Sequence, residues 1–157
     1  PVIMKLLEEK LPVESLTVMV QKEAAVRICA APGTRACGAV SVAVQYYSQP
    51  QILFDVPRDC FFPAPNVDSA VIRLNIRKEP PVKLETEEKQ FFKLVKAAFG
   101  QRRKTVLNSL NTGLGKSKEE LSAALQQAGI APTARAEQLT MEQFGTLCNL
   151  LFPNKTK

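Results

Sequence analysis

The run Phe61-Phe62-Pro63-Ala64-Pro65-Asn66-Val67-Asp68-Ser69 sets two aromatic side chains directly before a Pro-x-Pro pair. Each proline fixes its own φ and biases the residue before it toward extended geometry. The loop is therefore stiff and can hold an aromatic face where a planar group would meet it. A base drawn out of an RNA stack is such a group, and enzymes that act on bases clamp them between aromatic or apolar side chains. The competing reading is an ordinary proline-rich connector with its Phe residues buried, because turn chemistry of this kind is common.

Arg102-Arg103-Lys104 is the second candidate. Three adjacent cations after Gly100, at an expected helix start, repel one another without an anion nearby, and an RNA backbone is a natural anion. If the helix runs unbroken through Gly100, Lys89, Lys93, Lys96, Arg103 and Lys104 fall within about 100° of one another. Phe92, Val95, Ala98, Phe99, Val106 and Leu110 gather on another side, and Arg102 fits neither. A solvated helix face followed by a polar turn gives the same pattern.

Other chemistries lack parts. The chain has no histidine, so no Ser/His/Asp or Cys/His nucleophile system is possible. Cys29, Cys37, Cys60 and Cys148 form no C-x-x-C pair, which argues against zinc and for free buried thiols. Glu87-Glu88 and Glu119-Glu120 sit at expected helix starts and read as helix-dipole partners; Glu8-Glu9 is a third adjacent pair. The loop Pro32–Gly38 holds two glycines but neither the Lys-Ser/Thr of a phosphate loop nor dinucleotide-loop spacing. No apolar run approaches the ~20 residues of a membrane span. The formal charge of +6 over 157 residues is uneven: residues 1–85 hold ten Lys/Arg and nine Asp/Glu, residues 86–157 eleven and six. Lys and Arg draw RNA mainly through phosphates, without base information.

The aromatic–proline loop resembles the Phe-x-Pro-x-Pro-x-Val-x-Ser signature of the rRNA adenine dimethyltransferases, with Phe61, Pro63, Pro65, Val67 and Ser69 at every fixed position. Phe91 to Leu110 is similar to the opening of that family's C-terminal domain, and in particular to its KsgA-type small-subunit branch. Val18 to Glu23 and Tyr46-Tyr47 also match, and the resemblance runs from Pro1 to about Phe152. The related antibiotic-resistance methylases of large-subunit rRNA share the Phe-Pro-Pro loop but not Ala98 to Thr105.

The resemblance implies methyl transfer from S-adenosylmethionine, without metal, to the exocyclic amines of two adjacent adenosines near the 3′ end of small-subunit rRNA. It implies a cytoplasmic protein that partners the immature small ribosomal subunit and serves its biogenesis, with no membrane. Phe61, Pro63, Pro65, Val67 and Ser69 would then wall the target-base pocket, with Phe61 stacking on the base and Phe62 in the core. Lys93, Lys96, Arg102, Arg103 and Lys104 would contact RNA. The family's Gly-rich cofactor loop and Asn-x-Pro-Tyr-type catalytic tetrapeptide have no counterpart, and the tetrapeptide is expected upstream of Pro1. The expectation is the C-terminal part of a longer enzyme, inactive alone. A second reading from another class is a non-catalytic RNA-binding or ribosome-assembly module.

The positioning elements follow from periodicity. Residues 1–10 read as a helix, Leu16 to Gln21 as a strand of the doubly buried parallel kind, and Glu23 to Cys29 as a helix. The apolar run Val40–Tyr47 fits strand or helix, and the resemblance favours helix. Gln51 to Val56 is a strand, and Ala70, Ile72, Leu74 and Ile76 alternate with Val71, Arg73, Asn75 and Arg77 in another. These last two are expected to pair antiparallel across the proline loop. Thr86 is the expected cap of the next helix, Ser117-x-x-Glu120 a capping box, Gly129 and Pro132 a stop, and 140–151 a final helix. The fold class is α/β plus α: the rear half of a Rossmann-like S-adenosylmethionine-dependent methyltransferase sheet (1–77), a Pro-rich linker (78–85) and a small all-helical rRNA-binding domain (86–157). An incomplete sheet would expose apolar faces of Leu16–Val20 and Ile52–Val56 and favour self-association through its edge.

Overall fold

The structure, a computed structural model, describes residues 2–153. Helix α1 (Val2–Glu8) leads to strand β1 (Ser15–Gln21), which passes directly into α2 (Lys22–Cys29). Then come α3 (Ala39–Tyr47), β2 (Ser48–Val56), one 3-10 turn (Arg58–Cys60) and β3 (Ser69–Ile76). Four α-helices and a second 3-10 turn (Ala136–Gln138) complete the described chain: α4 (Glu88–Ala98), α5 (Val106–Leu114), α6 (Lys118–Gln127) and, after the turn, α7 (Met141–Leu151).

Strand β3 lies between β1 and β2 and is antiparallel to both, so the outer strands run parallel to each other. The expected β2–β3 pairing across the proline loop is present. The alternation in β3 works as read: Ala70, Ile72 and Leu74 are fully buried, packed with Leu7, Ala25, Ile28 and Val44 from α1, α2 and α3. Strand β1 differs from expectation. Its burial alternates, with Leu16, Val18 and Val20 partly covered and Thr17 and Met19 exposed. The described helices cover one face of the sheet only, so a continuously apolar strand is half exposed. On the open face Met19, Val71 and Phe54 share one row of the register, with Met19 51% and Phe54 57% exposed.

Helix α3 explains why its run is apolar throughout. Val44 packs toward the sheet, while Val42 and Tyr46 join the core of α4–α7. A helix buried on two sides carries no polar stripe. Its few polar groups close α2: Ser41 Oγ donates to the Arg27 carbonyl, and Gln45 Nε2 donates to the carbonyls of Ile28 and Ala30. These are carbonyls of the last turn of α2 and its C-cap, where intrahelical partners run out; that of Arg27 also accepts from the Ala30 amide at 3.3 Å.

The second core gathers Phe91, Leu94, Leu110, Leu121, Leu125, Phe144 and Leu147. Three sequence expectations change here. The α4 cap is Glu87, not Thr86. Ser117 accepts from the Glu120 amide at 3.2 Å, but the Glu120 carboxylate pairs with Lys116 instead of completing the box. The basic helix breaks at Gly100: the amides of Phe99 and Gly100 bond back to Val95 and Ala97 and end α4, and Thr105 caps α5. Arg103 and Lys104 therefore sit in a turn and share no helical face with Lys89, Lys93 and Lys96. Helices α4 and α5 approach closely at Gly113, where a Cβ would stand 2.7 Å from Ala97 Cβ. Residues 78–85 are tied down: Asn149 donates to the Lys83 carbonyl at 2.9 Å and accepts from the Glu85 amide at 2.8 Å.

Candidate nucleic-acid interface

The proline loop is closed at its base by one arginine. The Arg58 amide and Nε both donate to Asp68 Oδ1, at 2.9 and 3.1 Å, and Nη1 donates to the Asn66 carbonyl at 2.7 Å. The Asp68 carbonyl accepts from the Lys22 amide at 2.9 Å, and Lys22 Nζ pairs with Asp55. The loop is thus fastened to β1–α2 on one side and to β2 on the other. Hydrogen bonds from Arg58, and its charge, hold the Asp68 carboxyl below the usual carboxylate range.

Within this frame Phe61 is half-buried and Phe62 is completely exposed, at 102%. This reverses the expectation that Phe62 is the more buried of the pair. Phe61 caps the 3-10 turn, its amide bonded to the Arg58 carbonyl at 3.2 Å, and is extended at φ −113°, ψ 152°. The next side chain along an extended segment points the other way. One ring is drawn toward the body and its neighbour outward. Pro63, Pro65 and Val67 are exposed, and Ser69 is half-buried as the first residue of β3. A planar group approaching this loop meets the free face of Phe62 first and the rim of Phe61 beside it.

Lys93, Lys96, Arg102, Arg103 and Lys104 are all exposed, and none makes an ion pair among the described residues. The structure brings only some of them together. Arg102 and Lys104 line a cleft of about 550 Å³ with Arg27 of α2 and Arg35 of the following loop, faced by Glu23 and Glu137. Lys93, Lys96 and Arg103 do not line it, nor does any residue of the 61–69 loop. Arg27 and Arg35 escaped the sequence reading because residues 1–85 are nearly charge-balanced. No local pattern marks a cation whose neighbours come from 70 residues away.

The glycine loop lines this cleft with Arg35, Ala36, Cys37 and Gly38. Gly38 stands among Arg27, Arg35, Arg102 and Lys104. Glu23 and Glu137 line the same cleft and Glu23 pairs with Arg27 at 3.7 Å, so its wall is of mixed charge and singles out neither the anionic nor the cationic end of S-adenosylmethionine. Among the described residues no group of three or more His, Cys, Asp or Glu is placed to hold a metal ion. Cys37 and Cys148 are buried, and burial pushes the Cys148 thiol up to about 11. Cys60, expected to be buried, is exposed because it lies on the outward 3-10 turn. No helix among the described residues is long and apolar enough to cross a membrane.

Comparison with known proteins gives these surfaces a context. The family described as Ribosomal RNA adenine dimethylase matches residues 1–152. Two proteins named Ribosomal RNA small subunit methyltransferase A are similar. That of Geobacillus thermodenitrificans is 51% identical over 98% of this chain and 53% of its own length. That of Alkaliphilus oremlandii is 54% identical over 96% and 53%. The chain therefore spans about half the length of the curated relatives it matches. Among solved structures, a dimethyladenosine transferase from Plasmodium falciparum superposes with a TM-score of 0.71 at 22% identity, over 92% of this chain and 59% of its own. The 23S rRNA methyltransferase ErmE gives 0.66 at 26% identity, over 95% and 59%.

Proposed function

The chain belongs to the ribosomal RNA adenine dimethylase family, and on that premise we propose that it is the RNA-facing part of a small-subunit rRNA adenine dimethyltransferase. The full-length enzyme, on this reading, uses S-adenosylmethionine to methylate the exocyclic amines of two adjacent adenosines near the 3′ end of small-subunit rRNA, in the immature subunit. Residues 1–77 are the rear of the Rossmann-like methyltransferase unit, and 86–157 a helical rRNA-binding domain joined by 78–85.

The observation that carries this reading is the clamped 61–69 loop, which holds one ring half-buried and one fully exposed on a base closed by Arg58 and Asp68. Methylating an exocyclic amine requires the adenine to be held in line with the incoming methyl. A ring on a stiff support orients an extruded base without a proton transfer or a metal. Phe61 supplies the rim that fixes the base plane, Pro63 and Pro65 keep the support from yielding, and Val67 and Ser69 complete the wall. Arg102, Arg103 and Lys104, with Lys93 and Lys96, engage phosphates and position the RNA without reading its bases.

The test is single-turnover methylation of immature small subunits by the full-length enzyme. Losing about 1–3 kcal/mol of stacking in Phe61→Ala corresponds to about ten- to hundredfold slower transfer, with subunit affinity retained. Phe61→Tyr and Phe61→Trp keep a π face and much of the rate. An unaltered rate in Phe61→Ala removes the base-clamp reading. If Phe62→Ala alone slows transfer, the stacking ring is the exposed one. A full-length protein that binds subunits but never methylates them is a ribosome-assembly module instead.

A further inference from the structure

We propose that Glu88 is a positioning residue, whose carboxylate fixes helices α4–α7 on the sheet-bearing part of the chain and so sets where the 102–104 loop stands relative to the 61–69 loop. The inference rests on the reading above for its consequence in catalysis, but not for its geometry.

Glu88 opens α4, and an acidic residue there can act on the helix dipole alone. Its neighbour Glu87 fits that description, being exposed and paired, among the described residues, only with Lys89. Glu88 is placed differently. Its Oε1 accepts from Lys10 Nζ at 3.2 Å and from Tyr46 Oη at 3.5 Å, and its Oε2 accepts from Tyr47 Oη at 3.2 Å. One carboxylate therefore joins α4 to the end of α3 and to the segment just after α1.

Its surroundings are shaped to this contact. Glu88, Phe91 and Phe92 lie at i, i+3 and i+4, on one face of the helix. The Phe rings interlock with the two tyrosines: Tyr46 meets Phe91 at 5.1 Å between centroids, and Tyr47 stacks on Phe92 at 5.4 Å. Ring packing resists separation but tolerates sliding, whereas three donors converging on one carboxylate from two elements fix a direction. Lys10 holds a φ of +50°, sparsely populated for a residue with a Cβ, in the turn that ends α1. Arg77 anchors the start of the linker to the same corner, its amide donating to the Tyr47 carbonyl and its Nε to the Gln45 carbonyl, both at 2.9 Å. These groups surround a cavity of about 230 Å³ lined by Lys10, Tyr46, Tyr47, Arg77, Pro80 and Glu88.

The test uses the full-length enzyme with spin labels on the exposed native Cys60, beside the base loop, and on Thr112→Cys of α5, other reactive cysteines being replaced. In Glu88→Ala the distance distribution is expected to broaden. Methyl transfer falls about tenfold through misplacement of the base, while affinity for immature subunits stays within about twofold because phosphate contacts dominate docking. Glu88→Gln keeps the shape and one acceptor, and recovers part of both distance and rate. Thr140→Ala removes a cap from α7 and serves as the control for stability alone. An unchanged distance distribution in Glu88→Ala overturns the proposal, as does a loss of rate that Thr140→Ala matches at equal loss of thermal midpoint. If the wild-type enzyme methylates nothing, the functional reading fails, and the distance measurement still decides the role of Glu88.

Discussion

Three cations in one exposed turn, Arg102, Arg103 and Lys104, have no acidic partner among the described residues, so their charge is available to an external anion. Replacing all three with Ala in the full-length enzyme is expected to weaken small-subunit rRNA binding. It should also flatten the salt dependence, by roughly one unit of slope for each phosphate no longer neutralised. Affinity titrated across salt concentrations checks this, and unchanged slopes reduce the cluster to a surface turn. The two tyrosines make a second prediction. Burial first, then the Glu88 charge, raises both phenols, Tyr46 to about 12. A raised phenol pKa means that the folded state holds the proton more tightly. The resulting stability is complete below about pH 10, the ordinary tyrosine value, and is lost as pH rises through the folded value. The chain has two tyrosines and no tryptophan. Its phenolate absorbance should therefore stay low past pH 10 and rise together with alkaline unfolding, and Glu88→Ala should bring that rise to lower pH.

At the scale of elements, the α4–α5 contact depends on the absence of a side chain. Gly113→Ala places a Cβ 2.7 Å from Ala97 Cβ and 3.1 Å from its Cα. The helices must part, at a cost of about 1–3 kcal/mol typical of overpacking, visible as a lower denaturation midpoint; Gly113→Ala combined with Ala97→Gly should recover part of it. The proline loop depends on Arg58 and Asp68 in a comparable way. The Asp68 pKa is depressed in the folded chain, so its contribution is present above the ordinary carboxylate range and is lost as pH falls through the folded value. Amide exchange at Arg58 and Phe61, both donors at the loop base, is expected to quicken in Asp68→Asn at neutral pH, and in the native chain only on acidification. Equal protection in Asp68→Asn would mean that a neutral acceptor holds the loop as well as the charged one.

Considered whole, the described chain has two cores with α3 between them and one uncovered sheet face. Met19, Val71 and Phe54 form an apolar row on that face, and β1 has a partner on one edge only. Exposed apolar surface beside an open strand edge favours pairing with another chain. Sedimentation of the isolated 157-residue chain is expected to show concentration-dependent association that Met19→Lys weakens. A monomer at high concentration would show that the face is tolerated in water.

Local chemistry made most of the elements legible in the amino-acid sequence. Period-two alternation marked β3 and its inward Ala70, Ile72 and Leu74, and Gly129 at φ +72° stops α6 as its position suggested. The stiffness of Phe61–Ser69 and the charge of 102–104 were equally visible, because proline geometry and side-chain charge belong to the residues themselves. Tertiary structure decided what depends on neighbours distant in the chain. Helix α4 ends before Gly100, so the basic residues do not form one face. Phe62, not Phe61, is the exposed ring, because the capped 3-10 turn orients the segment. Arg27 and Arg35 meet Arg102 and Lys104 in a cleft that exists only when separate segments converge. Glu88, in sequence one of two interchangeable glutamates at a helix start, binds Lys10, Tyr46 and Tyr47 because folding brings donors 78, 42 and 41 residues away to its carboxylate.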